Sequence, residues 1–251
     1  MPEANTISTR RRYSIWKHYA RRQTAERTDQ LPSLTIENYV KTIYQICGSS
    51  EQRPASTGEI ANALAVSPGT VTSMLKTLAE SGLATYTPYE GVRLTASGDA
   101  LGLRVLRRHR LIEQFLVTTL NLTWDEVHEE AENMEHAVSD WLVDRIDEYL
   151  GFPESDPHGD PIPRADGTIA KPAYRRLTEF PVGEEFRLVR VVDQSPEFLR
   201  YLSDAGLQLD TEGELAEYGS ESGVLSVRVG ASTVTLGEDA ADKLLVLPAG
   251  G

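Results

Sequence analysis

The sequence contains a single cysteine, Cys47, in 251 residues. One cysteine cannot close an internal disulfide, so the fold must rest on its apolar core, and nothing points to an oxidising compartment. Cys47 sits among Ile43, Tyr44 and Ile46 and reads as a small core residue. Also lacking is any apolar run long enough to cross a bilayer, or the apolar stretch of a signal peptide, so the expectation is a cytoplasmic protein with no membrane partner. Positive charge is scarce: 25 Lys and Arg against 38 Asp and Glu leave a formal net charge of −13. So acidic a chain cannot hold nucleic acid by bulk charge, and any DNA contact must come from a local patch. Tandem repeats are absent as well. The length suggests two or three modules.

The basic residues are concentrated at the start. Arg10, Arg11, Arg12, Lys17, Arg21, Arg22 and Arg27 face only Glu3, Glu26 and Asp29, with Tyr13, Ile15, Trp16 and Tyr19 between them. This stretch, residues 1–33, is either a tail or extra helix on the body, or an arm that touches DNA phosphates or a minor groove.

Beyond it, apolar residues recur with helical period from Leu34 to Cys47, with Thr35 as the expected N-cap. A short helix over 56–64, a tight turn at Ala65-Val66-Ser67, and a second helix over 68–81 follow. Ser67 is its N-cap and Pro68 its first residue, where a missing N–H does no harm. Val71, Met74, Leu75 and Leu78 form the inner stripe, while Thr70, Thr72, Ser73, Lys76 and Thr77 lie mostly outside. Residues 83–88 and 92–95 alternate as a hairpin around Tyr89-Glu90-Gly91. Helix, turn, hydroxyl-faced helix and hairpin make a winged helix-turn-helix.

A long helix is expected over 95–121, with a basic flank of Arg104, Arg107, Arg108 and Arg110. Another is expected from a Thr123 cap to Leu150, and its apolar second half around Trp141 suits a dimer interface. It carries the unusual feature of the chain. Positions i, i+4, i+7 and i+8 share a helical stripe, and here they are His128, Glu132, Glu135 and His136. Such a face is either solvated or holds a cation. His109 and Glu113, one turn apart on the preceding helix, form a shorter copy. Together they read as two halves of a divalent-metal site. A stretch rich in proline, glycine and aspartate, 151–167, cannot be a regular element, and its His158 reads as an ordinary loop residue. From Val182 the period changes to two, giving five short strands and one helical turn at 196–205, a small β-barrel.

This order resembles the DtxR/MntR family of metal-dependent transcriptional regulators. The residues that carry the resemblance are Tyr39-Val40-Lys41-Thr42-Ile43-Tyr44, His109-Arg110-Leu111-Ile112-Glu113, Val127 to Glu132 with Glu135-His136, and Gly159-Asp160-Pro161-Ile162-Pro163. The resemblance implies a mainly α chain with a small β domain (α+β). The expected parts are a basic arm (1–33), a winged helix-turn-helix DNA-binding domain (34–98), metal-binding and dimerisation helices (99–151), a linker (152–181) and an SH3-like, FeoA-like domain (182–251). It implies one metal site at Asn38, Glu132, Glu135 and His136, and an ancillary site at His109, Glu113 and His128, with Asp193 as a candidate ligand from the barrel. Glutamate at 132 places the chain nearer the manganese branch, and oxygen and nitrogen donors suit Mn²⁺ or Fe²⁺. Lys41 stands where manganese-responsive members carry a glutamate, which argues against a closely spaced two-metal cluster.

The implied function is a homodimer that binds a double-stranded DNA operator with Mn²⁺ or Fe²⁺ as co-repressor, rather than an enzyme. Ser67, Pro68, Thr70, Thr72, Ser73 and Lys76 would face the major groove, and Tyr89 and Arg93 of the wing the backbone. Two alternatives stay open at this level: a metal-independent winged-helix regulator and a metalloenzyme.

Overall fold

The computed structural model describes residues 33–49, 53–219 and 221–250. The basic arm, apart from Ser33, lies outside the described residues. The first helix, α1, is Leu34–Ser49. Its cap is Ser33 and not Thr35, since the Ser33 hydroxyl accepts from Ile36 N at 3.4 Å. Helix α2 (Thr57–Ala63) opens with a Ser56/Glu59 capping box, and α3 (Pro68–Glu80) with Ser67 accepting from Thr70 N. Strands β1 (Ala84–Thr87) and β2 (Gly91–Leu94) pair antiparallel as the wing. Tyr39, Val40, Ile43, Ile60, Val71, Leu75, Leu78, Val92, Leu101 and Val105 form one buried cluster, so the apolar stripes expected for α1 and α3 both point inward.

Helix α4, Ala96–Leu120, is the spine. Its first half packs in the winged-helix core through Leu101 and Val105, its second half on the helices that follow through Leu111, Ile112 and Leu116. Gly102 lets α1 approach: a Cβ there would sit 3.1 Å from Tyr44 Cβ. Of the basic flank expected on α4, Arg104 is exposed and the other three arginines are internal. Arg107, Arg108 and Arg110 are buried and paired with Asp144 and Asp147, with Glu37 and Asp140, and with Asp156 and Asp160.

The single helix expected from Thr123 to Leu150 is two helices, α5 (Val127–Glu135) and α6 (Asp140–Tyr149). Residues 124–126 form a turn, so helix begins after Glu126. The break follows His136, where Ser139 accepts from Leu142 N and opens α6, an N-cap signal that outweighs continued periodicity. Trp141 and Leu142, in the segment expected to face a second copy, are exposed.

The C-terminal part is a six-stranded antiparallel sheet of order β3-β8-β4-β5-β6-β7. Its strands are β3 (Arg175–Arg176), β4 (Glu185–Val191), β5 (Glu212–Gly219), β6 (Val224–Val229), β7 (Ser232–Gly237) and β8 (Leu244–Pro248). Strand β3 is an addition to the five expected; two arginines give no alternating pattern. Helix α7 (Pro196–Asp204) lies between β4 and β5, and the short α8 (Glu238–Ala241) between β7 and β8. Phe186, Leu188, Leu199, Leu202, Leu215 and Val246 are among the buried residues of an SH3-like core. No helix among the described residues is long and apolar enough to cross a membrane.

The sheet docks on the helices through the segment 156–161. His158 O accepts from Val191 N at 2.9 Å, Gln194 Nε2 donates to Asp160 Oδ2 at 2.9 Å, and Arg190 pairs with Asp160. Trp124 Nε1 donates to Ser203 Oγ at 2.9 Å across the same junction. These contacts put the sheet beside the middle of α4.

Candidate metal centre

Three helices and the docking segment converge on one buried cluster. At its centre is Glu135, at the end of α5 and fully buried. One of its oxygens is 2.7 Å from Lys41 Nζ of α1 and 3.3 Å from His136 Nε2; the other is 2.7 Å from His109 Nδ1 of α4. Lys41 also reaches Glu132 at 2.9 Å. His136, as the residue that closes α5, keeps helical backbone angles and so stays beside Glu135; its Nδ1 is 2.7 Å from Glu37 Oε2.

His109 continues the cluster. Its Nε2 lies 3.0 Å from Glu113 Oε1, and His128 Nδ1 lies 3.2 Å from the same oxygen. Burial lowers the His109 pKa, but the Glu113 charge and the hydrogen bonds to Glu113 and Glu135 outweigh it and hold the group at about 9. An imidazolium bridging two carboxylates is the arrangement that result describes, since both ring nitrogens then donate. Glu113 is held well below the usual carboxylate range; burial opposes this and is overridden by the charge and hydrogen bond of His109. Glu132 and Glu135 are held low against burial too, Glu132 chiefly by Lys41 and Glu135 chiefly by its hydrogen bond from His109.

A further group of buried side chains lies on the far side of Glu113. His158, expected to be an ordinary loop residue, is instead fully buried. Burial lowers its pKa and keeps it neutral, its Nε2–H donates to Trp124 O at 2.7 Å, and its Nδ1 has no hydrogen-bond partner. Nδ1 lies 3.8 Å from Glu113 Oε2. Asp156 Oδ2 is likewise buried and without a hydrogen-bond partner, and burial, with Asp160 and Glu113 nearby, pushes its pKa well above the usual range. Lone buried polar atoms are costly. Three sets of side chains each place ligand atoms within 4.8 Å of one another: His109, Glu113 and His128; His109, Glu132 and Glu135; Glu113, Asp156 and His158. All donors are carboxylate or imidazole, the type that Mn²⁺ and Fe²⁺ accept; Asp156 Oδ2 has only Arg110 Nε, 3.5 Å away, and His158 Nδ1 has no hydrogen bond, so the residues present fit a divalent ion.

Of the residues expected to bind metal, Glu132, Glu135, His136, His109, Glu113 and His128 come together. Asn38 is half-buried and hydrogen-bonded to none of them; the first-helix residues that reach the stripe are Glu37 and Lys41. Asp193 is paired with Lys243 at 2.7 Å and belongs to none of the three sets. Asp156 and His158 escaped the sequence reading because periodicity says nothing about an irregular segment. The proline-flanked run Pro157-His158-Gly159-Asp160-Pro161, stiff and short, was the available sign.

At the other end, Ser67, Pro68, Thr70, Ser73 and Lys76 of the α3 face are exposed and Thr72 is half-buried. The Thr72 hydroxyl donates to Pro68 O at 2.9 Å, and the Ser67 and Thr70 hydroxyls bond each other at 2.8 Å. Tyr89 stands fully exposed at the wing tip with φ 69, and Arg93 is exposed on β2.

The protonated state of His109 has a consequence for the metal-free chain. A pKa raised from 6.5 to about 9 on folding adds stability that is complete below pH 6.5 and is lost as pH rises through about 9. The loss should be on the order of 3 kcal/mol. Thermal melts of chelator-treated protein should therefore fall in midpoint between pH 6.5 and 9. With Mn²⁺ bound to a deprotonated His109 that fall should vanish. A flat metal-free profile would show that His109 is not the bridging imidazolium.

Comparison with known proteins gives concordant results. Three family models match in succession: "Iron dependent repressor, N-terminal DNA binding domain" over residues 33–92, "Iron dependent repressor, metal binding and dimerisation domain" over 95–164, and "FeoA domain" over 175–248. The iron-dependent repressor IdeR of Mycobacterium tuberculosis is 32% identical over 185 residues, 69% of this chain and 80% of that protein. The diphtheria toxin repressor of Corynebacterium glutamicum is 29% identical over 222 residues, 84% of this chain and 95% of that protein. Among solved structures, a manganese-dependent transcriptional repressor in complex with manganese superposes with TM-score 0.78 at 40% identity, covering 85% of this chain and 99% of its own. The manganese regulator SloR superposes with TM-score 0.70 at 32% identity, covering 85% and 98%.

Proposed function

Because this chain belongs to the DtxR/MntR family of metal-dependent transcriptional regulators, we propose that it is a repressor that binds operator DNA as a homodimer when Mn²⁺ or Fe²⁺ is bound. The observation that carries this reading is Glu135: a fully buried carboxylate on which side chains from α1, α4 and the end of α5 all converge. It is a regulator and not an enzyme, as its family is.

When bound, the ion would take over the positive charge that Lys41 and the His109 imidazolium supply to Glu132, Glu135 and Glu113. Glu132, Glu135 and His136 would hold it at the stripe, with Glu37 of α1 beside His136. His109, Glu113 and His128 form the ancillary set, and Asp156 and His158 extend it toward the sheet. Glu132 and Glu135 of α5 with Lys41 of α1, and His136 at the end of α5 with Glu37 of α1, tie the first helix to α5. That helix packs directly on α2 and on the wing through Tyr39, Val40 and Ile43, so its position sets where α3 stands. Closing the cluster orders the reading head, and the ordering need not then be supplied by DNA. Ser67, Pro68, Thr70, Thr72, Ser73 and Lys76 meet base edges and phosphates at the major groove, with Tyr89 and Arg93 on the backbone. Trp141 and Leu142 of α6 join the two copies.

The test is fluorescence anisotropy with a labelled promoter fragment of a metal-uptake gene from the same genome. Mn²⁺ or Fe²⁺ should tighten binding roughly 10–100-fold and EDTA should reverse it. The double variant Glu132→Ala/His136→Ala should keep its circular dichroism and lose the metal response. Equal binding by wild type and variant, with and without EDTA, would leave a metal-independent winged-helix regulator.

A further inference from the structure

Lys41, which ties α1 to the stripe, is a cation among groups that the scheme above assigns to holding a cation. Lys41 is 5% exposed, yet its ammonium lies 2.7 Å from Glu135 and 2.9 Å from Glu132. These are the two carboxylates at which the proposed ion would sit, so a charge of the right sign already stands between them. The other fixed cation at the site, Arg108, is committed elsewhere, with Glu37 at 3.3 Å and Asp140 at 2.9 Å.

We propose that Lys41 is a tethered counter-cation: it occupies the place of the divalent ion in the metal-free protein and must withdraw, or give up at least one carboxylate, before the ion binds. Two effects follow from one side chain. The metal-free protein keeps α1 attached to α5, because Glu135 is neutralised without an ion. The ion then has to displace a cation that is present at effectively unlimited local concentration, so the metal level needed for response is set higher than the donor set alone would set it. Lys41 is in this sense a threshold residue, and its removal should improve metal binding. A lysine that served only to hold the fold would do the opposite, since its loss would disorder the donors.

The inference rests on the reading of the stripe as a metal site, and the experiment separates the two. Chelator-stripped wild type, Lys41→Gln and Lys41→Arg are titrated with Mn²⁺ by calorimetry at one pH, and amide exchange is followed in residues 34–49 of each metal-free protein. Lys41→Gln should bind Mn²⁺ roughly tenfold more tightly or better, because a like charge is gone from the site. Its metal-free α1 should exchange faster than wild type, and Mn²⁺ should restore protection. Lys41→Arg, which keeps the charge, should return affinity to the wild-type side. Equal or weaker Mn²⁺ affinity in a folded Lys41→Gln overturns the inference while leaving the metal site standing. No Mn²⁺ uptake by any of the three overturns both.

Discussion

Glu135→Ala should cost roughly 3–5 kcal/mol of stability in the metal-free protein, the range for removing one partner of a buried ion pair. The carboxylate is fully buried, so its loss strands two cations, the Lys41 ammonium and the His109 imidazolium, which keep only Glu132 and Glu113. Their desolvation then has less to offset it. Glu135→Gln is the informative companion. It keeps the shape and one accepting oxygen, so it should fold with a smaller loss, yet it removes the anionic donor and should weaken Mn²⁺ binding roughly a hundredfold or more, above the range typical for loss of a mere supporting group. Chemical denaturation and calorimetry of both variants check this. A Glu135→Ala protein as stable as wild type, or a Glu135→Gln protein with unchanged Mn²⁺ affinity, would remove Glu135 from the centre of the cluster.

Gly159→Ala should break the junction between the helices and the sheet. The residue has φ +85, and an added Cβ would run into Val189 O and lie 2.7 Å from Arg190 Cα. Val189 is the extra residue where the pairing of β4 with β8 shifts between Leu188 and Arg190, so its carbonyl faces the docking segment. The neighbouring contacts depend on that close approach: His158 O with Val191 N, and Asp160 with Gln194 and Arg190. Strain and lost hydrogen bonds together should reach about 3 kcal/mol. The melting midpoint should drop roughly 6–12 °C for a chain of this size, and scanning calorimetry should show two transitions as the sheet unfolds apart from the helices. His158 would also leave Glu113, so the ancillary set should lose metal affinity while the stripe keeps its own. A single unshifted transition would mean that the segment yields without cost.

The two variants mark the limits of what could be read in advance. The α1 and α3 stripes, the Ser67 cap with Pro68 after it, the wing and five of the sheet strands were legible because each follows from local spacing. So were six of the side chains that meet in the cluster, since His109 and Glu113 lie one turn apart and His128, Glu132, Glu135 and His136 share one helical stripe whether or not the helix continues past them. The overlong helix was a misreading of the same kind of signal: apolar period persists across His136 to Ser139, and only the competing cap at Ser139 reveals the break. The basic flank of α4 failed for another reason. Arg107, Arg108 and Arg110 recur on one side of the helix, but which acids meet that side is decided by α1, α6 and the docking segment.

By itself, then, the order of residues determined most of the elements and the two groups of acidic and imidazole side chains, because helical and strand periods are properties of neighbours in the chain. It was the tertiary structure that put Lys41 between Glu132 and Glu135, exchanged Asn38 for Glu37 at His136, and brought His158 and Asp156 against Glu113. Those partners are separated by tens of residues, and in a buried cluster the energy of each charge depends on all the others at once. No local pattern encodes that sum.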